Sequence, residues 1–177
     1  MIAYKAISER IKNNNGLVKA LNVMDKAITY ITILFYIGIL VYGYLNVPED
    51  GGVLLYRSIL VPGISFQFVS FYRRTFSSPR PYEVYNFVPA LEKDTIGKSF
   101  PSRHVFSIFM VAFTYAQVSV PMCALISVMG VLLAVIRVVG GAHFIKDVVA
   151  GFAIACLVSI LVYGILCGVF GLLMLPF

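Results

Sequence analysis

The sequence predicts an all-α polytopic membrane bundle of about five transmembrane helices plus an N-terminal amphipathic helix, and three observations predict it. The chain is 60% hydrophobic and 12% charged, with a mean hydropathy of +0.91, which sets it far from the balance of a soluble domain. Charges are cleared from long runs: none falls in residues 27–48, one in 52–72 and none in 105–136. The polar residues collect instead in a few segments between those runs. At 177 residues, one membrane-embedded domain over 1–177 is expected, with 1–26 as its amphipathic N-terminal segment.

Residues 1–26 are basic overall, with Lys5, Arg10, Lys12, Lys19 and Lys26 against Glu9 and Asp25. Ile2, Ala6, Ile7 and Ile11 recur at helical spacing, so 1–12 reads as a short helix lying on the bilayer surface, ended by Asn13-Asn14-Asn15-Gly16. No cleavable signal peptide is read here, because the segment lacks a short apolar run with a small-residue cleavage site. Residues 27–48 suit one span, and Val47 to Gly52 a tight turn. The run 52–72 suits a second span, with Arg57 snorkelling to the head groups. Residues 73–103 form one long polar connection broken by Pro79, Pro81, Pro89 and Pro101, and long loops in compact domains are usually functional. The 32 uncharged residues of 105–136 would extend about 48 Å as one helix, too long for a core of about 30 Å, so Pro121 divides them into helices at 104–118 and 121–138. The last run, 147–175, spans with tilt, and Gly151, Gly164, Gly168 and Gly171 offer close-packing faces.

A net charge of +6 and a pI near 9.3 do not point to nucleic acid in such a chain. Basic residues placed between apolar spans suit anionic head groups or a phosphorylated lipid. Cys123, Cys156 and Cys167 lie in apolar stretches without metal-ligand spacing and read as buried small hydrophobes.

One stretch departs from the apolar background. After His104 the only charged side chains are Arg137, Lys146 and Asp147, and the only histidine is His143. Ionisable groups inside an apolar run default to a functional reading, against the blander one of a polar cluster at the interface. His143 and Asp147 are four apart, which on a helix lets the carboxylate hold the imidazole Nδ1–H and leaves Nε2 as base or nucleophile. Counting spans puts 73–104 and 137–147 on one side of the membrane, so that His104 and His143 face one pocket. Arg73, Arg74 and Arg80 bring guanidinium groups suited to phosphate oxygens, and Ser102 and His104 stand at a helix start, where free N–H groups favour an anion. Arg74 also reads as a head-group anchor, and Tyr72, Tyr82 and Tyr85 as an interfacial aromatic belt.

These residues resemble the type 2 phosphatidic acid phosphatases, or membrane lipid phosphatases, a group that includes undecaprenyl diphosphate phosphatases. Their motifs Lys-x6-Arg-Pro, Pro-Ser-Gly-His and Ser-Arg-x5-His-x3-Asp are similar to Arg73-x6-Arg80-Pro81, Pro101-Ser102-Arg103-His104 and Arg137-x5-His143-x3-Asp147 here, in the same order. The chain departs at three places. Arg73 replaces Lys, Arg103 replaces Gly and adds a cation for a second phosphate or an acidic head group, and Ile136 replaces Ser and removes a hydroxyl.

The resemblance implies hydrolysis of a phosphate monoester or diphosphate on a membrane lipid. His143 would attack phosphorus, Asp147 would orient it, and His104 would act as general acid and base. Arg73, Arg80, Ser102, Arg103 and Arg137 would hold the phosphate oxygens. No metal and no cofactor are expected, since the arginines supply the positive charge. Polyprenyl diphosphate, phosphatidate and phosphatidylglycerol phosphate all suit, with Arg103 favouring an isoprenoid diphosphate. The alternative is a lipid-phosphate-binding or transport protein of the same fold, weakened by Arg103 and Ile136. The expected place is the cell membrane, multi-pass; the resemblance implies a pocket open to the extracytoplasmic side, whereas the five basic residues before the first span favour the cytoplasmic face, which is the side expected here.

Overall fold

The computed structural model describes residues 2–92 and 95–166, and the regular secondary structure among them is helical. In order the helices are α1 (Ile2–Lys12), α2 (Asn15–Leu45), α3 (Val47–Asp50), α4 (Val53–Thr75), α5 (Pro81–Tyr85), α6 (Arg103–Tyr115), α7 (Val120–Val139) and α8 (Ile145–Ser159), which runs on as π-helix over Ile160–Leu166. The end of the last predicted span, with Cys167, Gly168 and Gly171, lies outside the described residues.

Local chemistry sets the boundaries. The Asn14 side chain accepts from Leu17 N at 3.1 Å, so α2 starts at Asn15, twelve residues before the uncharged run at Ala27. This corrects the expected start and makes Asp25 and Lys26 part of the helix. Gly51 and Gly52 take φ of 63° and 81°, and the Asp50 carboxylate accepts from Gly52 N and Leu54 N at 2.8 and 3.0 Å to open α4. Ser119 caps α7, with Pro121 in the first turn, where a missing N–H is harmless.

Among the described residues four helices are long and apolar enough to cross a bilayer: α2, α4, α7 and Ile145–Gly164. The fifth expected span, α6, has 13 residues, about 20 Å, and does not by itself cover a core of about 30 Å. It is instead the centre of the bundle, packed against α2, α4, α7 and α8. Its Val105, Phe106, Ile108, Met110 and Ala112 are buried in the core with Val69, Ile126 and Leu133. A helix sheathed by protein faces little lipid and is not held to the bilayer's length.

α1 packs on α2, α5 and α7; its Ser8 is buried and its Ile7 is 45% exposed. The helix fits there because Gly141, at φ 78°, has no side chain, and a Cβ would stand 3.2 Å from Ser8 Oγ. Of the glycines, Gly151 does bring helices together: a Cβ there would lie 2.6 Å from the Ser102 carbonyl oxygen, whereas Gly164 has nothing within 4 Å.

The two ends of the bundle differ in chemistry. One end gathers Asn46, Asp50, Arg57 and Gln117 around a shared cavity, as suits the anchor role of Arg57. The other joins the end of α4, the long connection, the start of α6 and the α7–α8 turn. The N-terminal part of α2 sits there too, for Asn22 Nδ2 donates to Ala90 O at 2.9 Å and Lys26 meets Glu92 at 3.3 Å.

Candidate active site

His143 stands in the turn just before α8, not on the helix, held by its backbone N–H to Arg137 O at 3.1 Å. Phe144 is the N-cap, and Asp147, at the third helical position, reaches back to accept from Phe144 N at 3.0 Å. The four-residue spacing therefore works through a cap. Asp147 Oδ2 lies 3.4 Å from His143 Nδ1 and also accepts from Ser99 Oγ, itself 3.4 Å from Nδ1. Asp147 O in turn accepts from Ser102 N at 2.8 Å, joining α8 to the loop before α6. All four residues are buried.

Around this cluster the loop is folded by arginines. Arg73, in the last turn of α4, donates to the carbonyls of Lys98 and Pro101. Arg80 gives Nε to Gly97 O at 3.0 Å and Nη1 to Ala142 O at 3.1 Å, so it spans from the long connection to the residue before His143. Glu83 holds Arg80 N at 2.7 Å and Gly97 N at 2.9 Å. Arg137 Nη2 lies between the two carboxylate oxygens of Asp25, at 2.8 and 2.9 Å.

Burial dominates the electrostatics. It pushes the His143 imidazole down to about 4, and the fields of Arg80 and Arg137 add to the effect against the opposing hydrogen bond to Asp147. The ring is thus neutral, with a lone pair available. Burial likewise lowers Arg80 below the usual guanidinium range, which still leaves it charged. Arg80 and Arg137 thus bear electrostatically on one buried ring, an arrangement whose chemistry suits an anion.

The structure brings Arg73, Arg80, Ser102, Arg137, His143 and Asp147 into one connected network. Arg103 and His104 lie next to it, in a cavity of about 280 Å³ with Thr29, Thr32, Phe66 and Leu133. The Arg103 guanidinium sits over the Phe66 ring at 5.2 Å. Through Thr32, Ile33, Phe66 and Ser107 the cavity passes into an apolar groove of about 350 Å³ between α2, α4 and α6. A larger groove, about 810 Å³, runs between α6, α7 and α8, but no arginine or histidine lines it, and the chemistry is on the other face. Ser102 Oγ is buried without a protein partner.

Arg74 is exposed, as suits an anchor, and Lys146 is exposed over Phe144 at 5.4 Å. Tyr82 donates to Thr95 O at 2.6 Å, Tyr72 packs on Phe76 and Phe100, and Tyr85 packs on Phe144, so all three brace the connection. Sequence reasoning missed Ser99, Glu83, Asn22 and Asp25. Only Asp25 carried a signal, an acidic residue at the edge of an uncharged run.

Fold and site together describe a polytopic helical membrane protein in which Arg73, Arg80 and Arg137 surround a buried histidine–carboxylate pair. The chain belongs to the PAP2 superfamily, which matches residues 53–167. LpxE of Aquifex aeolicus has the same fold, with a TM-score of 0.59 at 20% identity over 82% of this chain and 92% of that one. A transmembrane PAP2 type phosphatidylglycerolphosphate phosphatase from Bacillus subtilis gives 0.47 at 21% identity over 92% of each chain. No curated protein matches the sequence. The family and the fold make this a polytopic helical membrane protein of the PAP2 superfamily.

Proposed function

We propose that the protein hydrolyses a phosphate monoester or diphosphate on a membrane lipid, without a metal, through a phosphohistidine on His143. The observation that carries this is a buried, neutral His143 whose Nδ1 side is taken by Asp147 and Ser99, amid Arg73, Arg80 and Arg137. Nε2 is then the nitrogen left for phosphorus. Its lone pair forms the N–P bond while the bond from phosphorus to the leaving oxygen breaks, and His104 gives that oxygen its proton. Asp147 stabilises the ring cation. His104 then takes a proton from water, whose oxygen attacks phosphorus, and the N–P bond breaks to release phosphate and restore His143. Such hydrogen bonds are often long before substrate binds, so 3.4 Å at Nδ1 is compatible with this role.

A lipid substrate is supported by the groove between α2, α4 and α6, which begins at the cavity of Arg103 and His104 and can take a hydrocarbon chain beside the site. Arg103 stacked on Phe66 puts a further cation at that lip, which favours a diphosphate on an isoprenoid chain. We place the mouth on the cytoplasmic face, because the basic N-terminal segment packs at the same end as the site.

The test is phosphate release by the purified protein from polyprenyl diphosphate, phosphatidate and phosphatidylglycerol phosphate in excess chelator. Release is expected from the parent and none from His143→Ala, and Arg103→Gly should lower the ratio of diphosphate to monophosphate turnover. Activity strictly dependent on added Mg²⁺ would sink the mechanism. Binding of these lipids without turnover would assign the chain to a binding or transport role.

A further inference from the structure

Asp25 belongs to none of the three motifs and precedes the segment that matches the family, yet it reaches into the site. It lies on α2, three residues after Asn22, whose side chain is fixed by Ala90 O and by Glu92 N at 2.9 Å each. Its own carbonyl accepts from Thr29 Oγ1 at 2.7 Å. This part of the helix is therefore stapled to the connection that carries the site. Asp25 is 6% exposed, and Arg137 is 1% exposed. A buried carboxylate is retained where its charge is matched, and the match here is a phosphate-site arginine.

The pairing has a particular geometry. Both carboxylate oxygens sit on the single nitrogen Nη2, and the buried Nε of Arg137 has no protein acceptor. The contact holds one corner of the guanidinium and leaves a donor unused. Other acidic groups nearby are committed elsewhere: Asp147 to Ser99, Phe144 and His143, and Glu83 to the backbone of Arg80 and Gly97. Among the described residues, Asp25–Arg137 is the ion pair through which a carboxylate touches one of these arginines.

We propose that Asp25 is a positioning residue for the phosphate site: from the first long helix it fixes the guanidinium of Arg137 so that the remaining N–H groups meet a phosphoryl oxygen. The proposal rests on the phosphatase reading for its substrate, but inorganic phosphate binding tests it without turnover. It means that the working site is completed by α2 and is not confined to residues 53–167.

The experiment uses full-length protein in detergent, with inorganic phosphate affinity by calorimetry, kcat and KM on a lipid phosphate, and thermal unfolding. Asp25→Asn should weaken phosphate and lower kcat/KM together by roughly 10- to 100-fold, the scale of a catalytic group displaced by about 1 Å. Asp25→Glu should recover part of this. In an Arg137→Met background, Asp25→Asn should leave phosphate affinity unchanged while raising the melting temperature, because it removes an unmatched buried charge. A folded Asp25→Asn protein with the parent's affinity and kcat/KM overturns the proposal, as does an equal loss in both backgrounds. If Asp25→Asn does not fold, Asp25→Ser, which also removes the carboxylate, carries the test, and parental phosphate affinity in that variant overturns the proposal. A parent that binds phosphate in an Asp25-dependent way but cleaves no lipid phosphate would overturn the phosphatase reading and leave this one standing.

Discussion

Acidification separates His143 from an ordinary histidine. At pH 5.5 an imidazole of ordinary pKa near 6.5 is about nine-tenths cationic and has no lone pair with which to attack phosphorus. His143 is 1% exposed, and its value is pushed down to about 4. The displacement from 6.5 to about 4 corresponds to roughly 3 kcal/mol in favour of the neutral ring, and at pH 5.5 leaves it roughly 97% neutral. The sign for stability follows. Between these values the folded protein binds fewer protons at His143 than the unfolded chain, so the contribution is complete above about 6.5 and is lost as pH falls through about 4. The assay is ¹⁵N NMR of ring-labelled protein in detergent, in a His104→Gln variant that leaves one histidine. The neutral pattern should persist to below pH 5, with the proton on Nδ1, the nitrogen facing Asp147. A midpoint near 6.5 would refute both the burial argument and the neutral nucleophile drawn from it.

Three more outcomes are expected. Ser99→Ala removes the hydroxyl that bonds Asp147, a charge-assisted contact worth about 1.5–3 kcal/mol, so kcat should fall roughly 10- to 100-fold with the fold intact by circular dichroism; unchanged kcat would remove Ser99 from the site. Gly151→Leu forces side-chain atoms onto the Ser102 carbonyl oxygen, which would lie 2.6 Å from the new Cβ, and should cost about 1–3 kcal/mol and lower the melting temperature, while Gly164→Leu, with open space around it, should not. For sidedness, single cysteines replace exposed Thr95 at the site end and exposed Glu49 at the other, in a protein lacking Cys123, Cys156 and Cys167, and intact cells are treated with an impermeant thiol reagent. Labelling at Glu49 alone is expected, and labelling at Thr95 alone would show that the site opens outward and that the charge argument was wrong.

Where the sequence was read correctly, the reason is that bilayer physics leaves few choices. A run of about 20 uncharged residues has to become a helix, since every backbone polar group must be satisfied within it, and ionisable groups are then confined to the ends. That logic found the spans of α4 and α7, the division at Pro121, and the meeting of residues 73–104 with 137–147 at one end of the bundle. The spacing of Arg73, Arg80, Arg103, His104, Arg137, His143 and Asp147 was also legible, because motif spacing is a local property of the chain.

Other features were settled by contacts that no local pattern encodes. The length of α6 follows from its being enclosed by four helices, so that an apolar run which looked like a lipid-facing span became a short central core helix. Ser99 is an unremarkable loop serine until the fold carries it 48 positions along the chain to Asp147. Asp25 lies 112 positions from Arg137 and was grouped with the surface charges of the N-terminal segment. By itself the sequence determined the helical membrane class and which residue types carry the chemistry, since hydropathy and spacing act along the chain. Only the tertiary structure decided which charges neutralise one another, because a buried ion pair depends on desolvation and on distances of about 3 Å between side chains far apart in sequence.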